Sequence, residues 1–265
     1  MTLGRRLAVS LVAACSVSFS ATPSDACSCI APTARMLSPG REAPAPLNTR
    51  VRVVLPSHYG TGVEDRVLLR KPGGEVVPVT RRKSATSDQV FLELVPEAPL
   101  SPATRYEVAL RRTDHRPSTL VFGTFVTSDA LDTRPPVGGK LGTPRVFKAN
   151  GWSGASCGIG TPWAELDVPP TEDPDRERAR LLYAVWLPSA SGKVDPRTPP
   201  TAYLEIAQGK LVIGKTSLCD PDDFPLPARG QVSLGLALVD EAGNFGKLAR
   251  VALDIGRAKS PWGRK

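Results

Sequence analysis

The chain has 265 residues, with 34 Lys and Arg against 26 Asp and Glu, and a net charge of +8. This length suits two domains of ordinary size, each able to bury its own core. The basic residues are scattered rather than gathered into one stripe, which argues against a nucleic-acid-binding protein and for a solubilising surface charge.

Residues 1–26 have the form of a secretory signal peptide. A pair of arginines precedes an apolar run that begins at Leu7 and ends near Ala21, and a polar segment follows up to Ala26. The run is shorter than the roughly 20 residues that a membrane-spanning helix needs. We expect cleavage after Ala26, with Ser20 as the alternative, and export to the periplasm, the cell surface or the medium.

Cys15 offers a second interpretation of the same segment, because small residues precede it as they do in lipoproteins. Cleavage there would leave an apolar run close to the minimum of about 7 residues for a signal peptide. We therefore expect free export rather than a lipid anchor. No later segment is long and apolar enough to predict a transmembrane span.

Residues 27–45 follow as a stem that begins Cys27-Ser28-Cys29. A chain cut after Ala26 starts with the sequence CSCIAP. A terminal cysteine followed by Cys-x-x-Pro resembles the start of the tissue inhibitors of metalloproteinases, over about six residues. This resemblance implies that Cys27 chelates the zinc of a protease through its terminal amine and its carbonyl. The alternatives are a local disulfide, pairing with another chain, or anchoring of a flexible stem.

Residues 46–130 contain short alternating segments broken by Pro and Gly, which predicts an all-β domain. We expect strands at 49–55, 65–70, 75–80, 89–95, 105–111 and 120–127. The sequence Lys71-Pro72-Gly73-Gly74 predicts a hairpin turn, where glycine supplies the positive φ angles of a tight reversal. Pro78 indicates an edge strand or a bulge, because proline cannot donate a ladder hydrogen bond.

The second half of this domain carries a family resemblance. A proline-leucine turn precedes a strand that begins near a tyrosine, and a strand with phenylalanine and threonine closes the domain. The residues concerned are Pro99, Leu100, Pro102, Tyr106, Phe125 and Thr127. This order resembles the bacterial immunoglobulin-like domain of surface-layer and other envelope proteins, over residues 41–130. The resemblance implies a β-sandwich used as a spacer or adhesion scaffold, and it implies no particular activity.

Residues 131–142 are rich in Pro and Gly and lack apolar periodicity, which predicts a linker. Residues 143–256 return to alternation and predict a second immunoglobulin-like sandwich, followed by a basic tail at 257–265. We expect its strands at 144–148, 163–168, 180–187, 202–207, 210–215, 231–239 and 248–255. Gln208-Gly209 predicts a tight hairpin. Residues 171–178 predict either one helical turn or a solvated loop.

Cys157 and Cys219 predict a disulfide within the second domain. An exported chain with an even number of cysteines after cleavage favours paired cysteines. A thiol enzyme is the weaker alternative, because a nucleophilic cysteine needs a nearby histidine. Both histidines, His58 and His115, lie on predicted loops of the other half.

Loop residues of the second domain are the candidates for ligand contacts. Trp152 lies between glycines and is a candidate for an exposed contact, whereas Trp186 lies in an apolar strand and is expected in the core. Acidic loop residues offer oxygen ligands that calcium accepts. They are Asp220, Asp222 and Asp223, with Asp240, Glu241 and Asn244 in a later turn. Asp beside Pro or Gly is also ordinary turn chemistry, so we predict no metal site and no cofactor.

These features predict an exported, non-enzymatic protein of two tandem immunoglobulin-like β-sandwich domains, with a structural or recognition role at the cell envelope or outside the cell. No catalytic residues are assigned. The expected partner is an envelope polysaccharide or a protein, and not a nucleic acid. Two alternatives remain: a secreted protease inhibitor that uses Cys27, and an enzyme whose catalytic groups the sequence does not reveal.

Overall fold

A computed structural model describes residues 33–86, 89–112, 118–148, 162–176, 179–189, 193–214, 224 and 226–257. Within these ranges the regular elements are sixteen β-strands and three short turns of 3-10 helix, so the predicted all-β class is confirmed. No helix in the described ranges is long and apolar enough to cross a membrane.

Seven strands form the first sandwich. They are β1 (Arg35–Ser38), β2 (Val51–Pro56), β3 (Val67–Arg70), β4 (Val79–Ala85), β5 (Gln89–Pro96), β6 (Arg105–Arg111) and β7 (Thr119–Val126). One sheet has the order β1-β2-β5-β4, and the other has the order β3-β6-β7. With the strands lettered A to G along the chain, these are the ABED and CFG sheets of a constant-type immunoglobulin domain. The immunoglobulin-like fold expected for this half is therefore confirmed.

The two sheets of the first sandwich enclose one apolar core. Val53 and Leu92 of the first sheet belong to the same buried cluster as Leu69, Val108 and Phe125 of the second. Side chains alternate across a strand, so the neighbours of Val53 and Leu92 along the chain point to the opposite face of the first sheet. The first sheet consequently has a second face that its own sandwich does not cover.

A tyrosine fixes the corner before β6. The backbone N–H of Ser101 donates to the hydroxyl of Tyr106 at 2.9 Å, and the Tyr106 ring stacks on Phe125 with centroids 5.6 Å apart. The hydroxyl of Thr127 donates to the carbonyl of Ser101 at 2.6 Å. This is the tyrosine corner of immunoglobulin domains, in which a tyrosine at the start of strand F bonds to backbone a few residues upstream. It accounts physically for the residue pattern that carries the family resemblance.

The second sandwich is built from the remaining strands. They are β8 (Val137–Gly138), β9 (Arg145–Phe147), β10 (Trp163–Asp167), β11 (Thr171–Glu172), β12 (Leu182–Trp186), β13 (Ala202–Ala207), β14 (Lys210–Gly214), β15 (Gln231–Val239) and β16 (Ala249–Asp254). Seven of them form one sheet in the order β16-β15-β12-β13-β14-β10-β9, and β8 pairs with β11.

The seven-stranded sheet folds over at the hairpin between β13 and β14. Gln208 and Gly209 both have positive φ angles, 52° and 71°, as a tight hairpin requires. Only the pairs Ile206↔Leu211 and Ala207↔Lys210 join these two strands. Leu166 of β10 and Leu253 of β16, near opposite edges of the sheet, belong to one buried cluster. The sheet is therefore bent into two layers around a common core.

Strand β12 is the centre of this core, and all five of its residues are buried. Trp186 donates its Nε1–H to the carbonyl of Thr198 at 2.9 Å, and its ring lies 5.5 Å from that of Phe245. Trp186 is thus a core residue, as its place in an apolar strand predicts. A buried tryptophan on the third main strand is a feature of immunoglobulin sandwiches.

Three short strands escape the sequence pattern: β1, β8 and β11. They fall in the segments interpreted as stem (27–45), linker (131–142) and charged insert (171–178). The insert is expected to be a helical turn or a solvated loop, but Thr171–Glu172 form neither, because they pair with β8 through Thr171↔Gly138 and Glu172↔Val137. A ladder of two pairs is too short to produce a detectable alternation.

Strand β4 lies further along the chain than predicted. Val76 forms an isolated bridge with Arg70 of β3. At Pro78 the chain crosses to the other sheet of the first sandwich, where it pairs with β5 from Val79 onwards. The expectation that Pro78 marks an edge is consistent with this, because β4 is the outer strand of its sheet. Most of β4 is exposed, so no apolar alternation reveals its full length.

Candidate functional site

The uncovered face of the first sheet packs against the second sandwich. Leu37, Val54 and Phe91, from β1, β2 and β5, belong to the buried cluster that the second sandwich supplies. Strand β2 is consequently buried along its whole length. Each Å² of apolar surface removed from water stabilises the folded protein by roughly 25 cal/mol, so these side chains stabilise the junction as they would a domain core. The junction of the two sandwiches is therefore a continuation of the core.

A buried ion pair lies within this apolar junction. Arg52 and Glu93 are directly opposite each other on β2 and β5, and both point toward the second sandwich. The guanidinium of Arg52 is 0% exposed, and its NH2 lies 3.0 Å from Glu93 Oε1. Tyr203 of β13 approaches from the other side, with its ring centroid 5.0 Å from Arg52 Cζ and its hydroxyl 3.5 Å from Glu93 Oε1. We refer to Arg52, Glu93 and Tyr203 as the balanced cluster.

The charges of the balanced cluster compensate each other. Burial alone opposes the charge on Arg52, but interaction with Tyr203 and Glu93 leaves the pKa of Arg52 raised. Burial raises the pKa of Tyr203 to about 12, so its hydroxyl remains a neutral donor. A buried charge is tolerated where a partner and hydrogen bonds replace water. Arg52 has the ion pair with Glu93 and one hydrogen bond, from NH1 to the Asp240 carbonyl, whereas its Nε and NH2 have no hydrogen-bond partner among the described residues.

Residues at the start of the first sandwich form hydrogen bonds with the turn between β15 and β16. The carbonyl of Asp240 accepts from Arg52 NH1 at 2.6 Å. The carbonyl of Glu241 accepts from the backbone N–H of Arg50 at 2.7 Å. Gly243 has a φ of 88°, and a Cβ at this position would lie 2.4 Å from Arg50 Nε. The turn therefore requires a glycine for its backbone and for the close approach of Arg50.

The side chain of Glu241 adds a second contact across the junction. One carboxylate oxygen accepts from the backbone N–H of Gly40 at 2.7 Å, and the other accepts from Arg176. Arg176 also donates to the carbonyl of Pro44. Burial raises the pKa of Glu241, whereas the Arg176 charge acts in the opposite direction. Glu241 and Arg176 thus join the second sandwich to the segment that precedes β2.

Three buried aspartates meet beside this turn. Asp132 follows β7, Asp173 follows β11, and Asp240 follows β15; one carboxylate oxygen of each lies within 4.8 Å of the other two. Burial, together with the charges of Asp240 and Asp173, raises the pKa of Asp132 to about 7. Burial also raises the pKa of Asp240. We refer to Asp132, Asp173 and Asp240 as the aspartate cluster.

Hydrogen bonds hold each member of the aspartate cluster in place. Asp240 Oδ1 accepts from the backbone N–H groups of Gly243 at 2.7 Å and Asn244 at 2.8 Å. Asp173 Oδ1 accepts from the N–H of Asp175 at 2.9 Å. The backbone N–H of Asp132 donates to the Asn48 side chain at 3.0 Å. The donor set consists of oxygens alone, which suits a hard cation rather than a transition metal.

A shallow cleft of about 240 Å³ opens between β4 and the segment 196–200. It is lined by three cationic side chains, and each of them faces a carboxylate. The pairs are Arg82 with Glu93, Lys83 with Glu64, and Arg197 with Asp195. Each cation of the cleft thus lies beside a carboxylate, although Arg82 shares Glu93 with Arg52.

Most of the site residues predicted from the sequence lie outside the described residues. These are Cys27, Cys29, Trp152, Cys157, Cys219, Asp220, Asp222 and Asp223. The later acidic turn is described, and the structure brings Asp240, Glu241 and Asn244 to the domain junction. The proposed disulfide and the proposed N-terminal site stay predictions.

The sequence patterns did not reveal Asp132, Asp173 or the partnership of Arg52 with Glu93. Asp132 and Asp173 lie in proline-rich segments whose composition is typical of solvent-exposed linkers and loops. The alternation of β2 correctly places Arg52 on the face away from the core of its own sandwich. The periodicity does not indicate that another sandwich covers that face. One available signal was that Arg52 and Glu93 are opposite charges at outward positions of two apolar strands.

Neither a protein-family model nor a curated protein matches the chain. The chain is similar to the N-terminal Ig1-2 module of the Drosophila receptor protein tyrosine phosphatase DLAR, at 13% identity over 83% of this chain and 98% of that chain, with a TM-score of 0.28. It is also similar to fibronectin(III)-like modules of Clostridium thermocellum CbhA, at 9% identity over 88% of this chain and 100% of that chain, with a TM-score of 0.24. The immunoglobulin-like assignment rests on the strand order and the tyrosine corner of this chain itself.

Proposed function

We propose that this protein is an exported, non-enzymatic structural and recognition protein of the cell envelope or the extracellular space, in which two immunoglobulin-like sandwiches act as one rigid body. The observation that carries the proposal is the buried junction, where β2 has one face in each core. Domains within one chain move relative to each other unless their interface is large and hydrophobic. The apolar contacts of Leu37, Val54 and Phe91 with the second core, and the contacts of Arg52 with Tyr203 and Asp240, support the proposal.

A rigid pair of sandwiches suits a protein that presents loops at a fixed distance and angle. Phe147 and Gly214, which come shortly before the segments 149–161 and 215–223 in the sequence, are both paired with Trp163. The rings of Phe147 and Trp163 stack with centroids 4.1 Å apart. We propose that these two loops form the recognition surface and that a Cys157–Cys219 disulfide joins them.

The recognition role is tested by affinity capture from envelope extracts with purified full-length protein. We expect a specific partner to be captured by the wild type and lost with Trp152→Ala, while Trp262→Ala, a change in the basic tail, has no effect. Equal capture by both variants would place recognition elsewhere. Peptide mapping under non-reducing conditions tests the disulfide, and two free thiols would contradict it.

Export is tested by the N-terminus of the protein recovered from culture. Mass spectrometry is expected to find a chain that begins at Cys27, outside the cytoplasm. A chain that retains residues 1–26 in the cytoplasm would contradict export. A terminus other than Cys27 would also exclude the protease-inhibitor alternative, since that alternative needs a free Cys27 amine.

A further inference from the structure

The geometry points to a calcium-binding site at the domain junction, formed by the aspartate cluster. Asp132, Asp173 and Asp240 would bind one Ca²⁺ between the segment that leaves the first sandwich and two loops of the second. This inference does not depend on the structural role proposed above, because metal binding is a property of the purified protein alone.

The first observation is that the three carboxylates are buried together. Asp132 is 1% exposed, Asp173 is 8% exposed and Asp240 is 0% exposed. One oxygen of each lies within 4.8 Å of the other two. Like charges at this separation repel strongly when water is excluded, so the arrangement is costly unless a cation or protons compensate it.

The second observation is that each carboxylate has an oxygen without a hydrogen-bond donor. Oδ2 of Asp132, Oδ2 of Asp173 and Oδ2 of Asp240 are buried and have no partner among the described residues. Buried polar atoms are paired in the great majority of cases, and an unpaired one commonly indicates an ion or water that completes it. Three such oxygens in one cluster indicate a shared ligand that accepts their lone pairs.

The neighbouring arginines are engaged with other groups. Arg52 faces Glu93, Arg134 pairs with Asp175, and Arg176 pairs with Glu241. No ion pair within the described ranges includes a member of the aspartate cluster. A side-chain counter-ion therefore does not account for the three charges in the part of the chain that the structure describes.

Calcium fits this donor set better than other common metals. Ca²⁺ takes six to eight oxygen ligands at about 2.3–2.6 Å in flexible geometry, whereas Mg²⁺ demands near-ideal octahedral geometry at about 2.0–2.1 Å. Transition metals favour imidazole and thiolate ligands, which the cluster lacks. Three carboxylates supply the charge, and water can complete the shell.

The site would connect three segments of the chain. Asn48 precedes β2 and makes two hydrogen bonds with the backbone of Asp132. Its Nδ2 donates to the Asp132 carbonyl at 2.7 Å, and its Oδ1 accepts from the Asp132 N–H at 3.0 Å. Asp173 and Asp240 belong to loops of the second sandwich. A bound ion would therefore fix the first sandwich to the second through Asn48 and Asp132.

Calorimetric titration of CaCl2 into EGTA-stripped full-length protein tests the site. We expect one Ca²⁺ per chain and a melting temperature that rises with calcium concentration. Asp173→Asn removes one of the three negative charges that would bind the ion and should weaken calcium binding at least about tenfold, a loss that even the removal of a group supporting a metal ligand commonly causes. The asparagine oxygen can still accept from the Asp175 N–H, so the local turn is preserved. Asp195→Asn, which alters an exposed aspartate paired with Arg197, is the matched control.

Three results would overturn the inference: folded wild-type protein that shows neither heat of binding nor a thermal shift with calcium, Asp173→Asn with wild-type affinity, or equal loss of affinity in Asp195→Asn. Binding of Mg²⁺ as tightly as Ca²⁺ would overturn the choice of calcium. If Asp173→Asn does not fold, Asp132→Asn is measured in its place, and the wild-type titration decides independently of either variant.

Discussion

The balanced cluster and the aspartate cluster lie at the same junction, yet their charges are arranged in opposite ways. Arg52 in the balanced cluster meets Glu93 and the ring of Tyr203, so burial is compensated inside the protein. The aspartate cluster gathers three acids with an unpartnered oxygen on each. The buried cation of the junction therefore has an anionic partner within the chain, whereas the three buried anions have no cationic partner among the described residues.

Removal of Arg52 should have the largest effect on stability. Arg52→Met removes the nearest cation of buried Glu93, and loss of one partner of a buried ion pair costs about 3–5 kcal/mol. Arg50 and Arg82 remain 3.9 and 3.7 Å from Glu93, so we expect a loss at the lower end of this range, about 3 kcal/mol. Urea unfolding should show a free energy of unfolding lower by this amount. Because a whole buried pair can be replaced at little cost, Arg52→Met with Glu93→Gln should recover part of the loss. No recovery in the double variant would contradict the pairing.

A backbone change in the turn that serves both clusters should have an intermediate effect. Gly243→Ala places a Cβ on a residue with φ of 88° and toward Arg50. The left-handed backbone costs an ordinary residue about 1–2 kcal/mol. Gly230→Ala is the matched control, because Gly230 has a φ of 100° but open space around it. A smaller loss in Gly243→Ala than in Gly230→Ala would contradict the contact with Arg50.

The effect of neutralising one member of the aspartate cluster on the free energy of unfolding should change sign when calcium is added. In EGTA at mildly alkaline pH, Asp132→Asn removes repulsion from Asp173 and Asp240, so we expect a free energy of unfolding about 1 kcal/mol above that of the wild type. In excess CaCl2 the order should reverse, since the wild type binds calcium more tightly and is stabilised more by it. An Asp132→Asn variant that is less stable by the same amount in both buffers would show a purely structural role for the carboxylate.

The alternation of apolar residues predicted the regular strands well. The bounds of β6, β13 and β15 agree residue for residue with those expected, because each strand has one face on a core or both faces buried. The candidate site was only partly accessible to the same reasoning. The turn that contains Asp240 and Glu241 has a recognisable composition, whereas Asp132 and Asp173 gain their meaning from a contact between distant segments. A period along the chain contains no information about which outer face another domain covers.

The junction is expected to join the two sandwiches into one cooperative unit. Differential scanning calorimetry of the full-length protein in calcium measures this cooperativity. We predict one unfolding transition whose calorimetric enthalpy equals its van't Hoff enthalpy, and its separation into two transitions in Arg52→Met. Two resolved transitions in the wild-type protein, each insensitive to substitution at Arg52, would contradict this expectation.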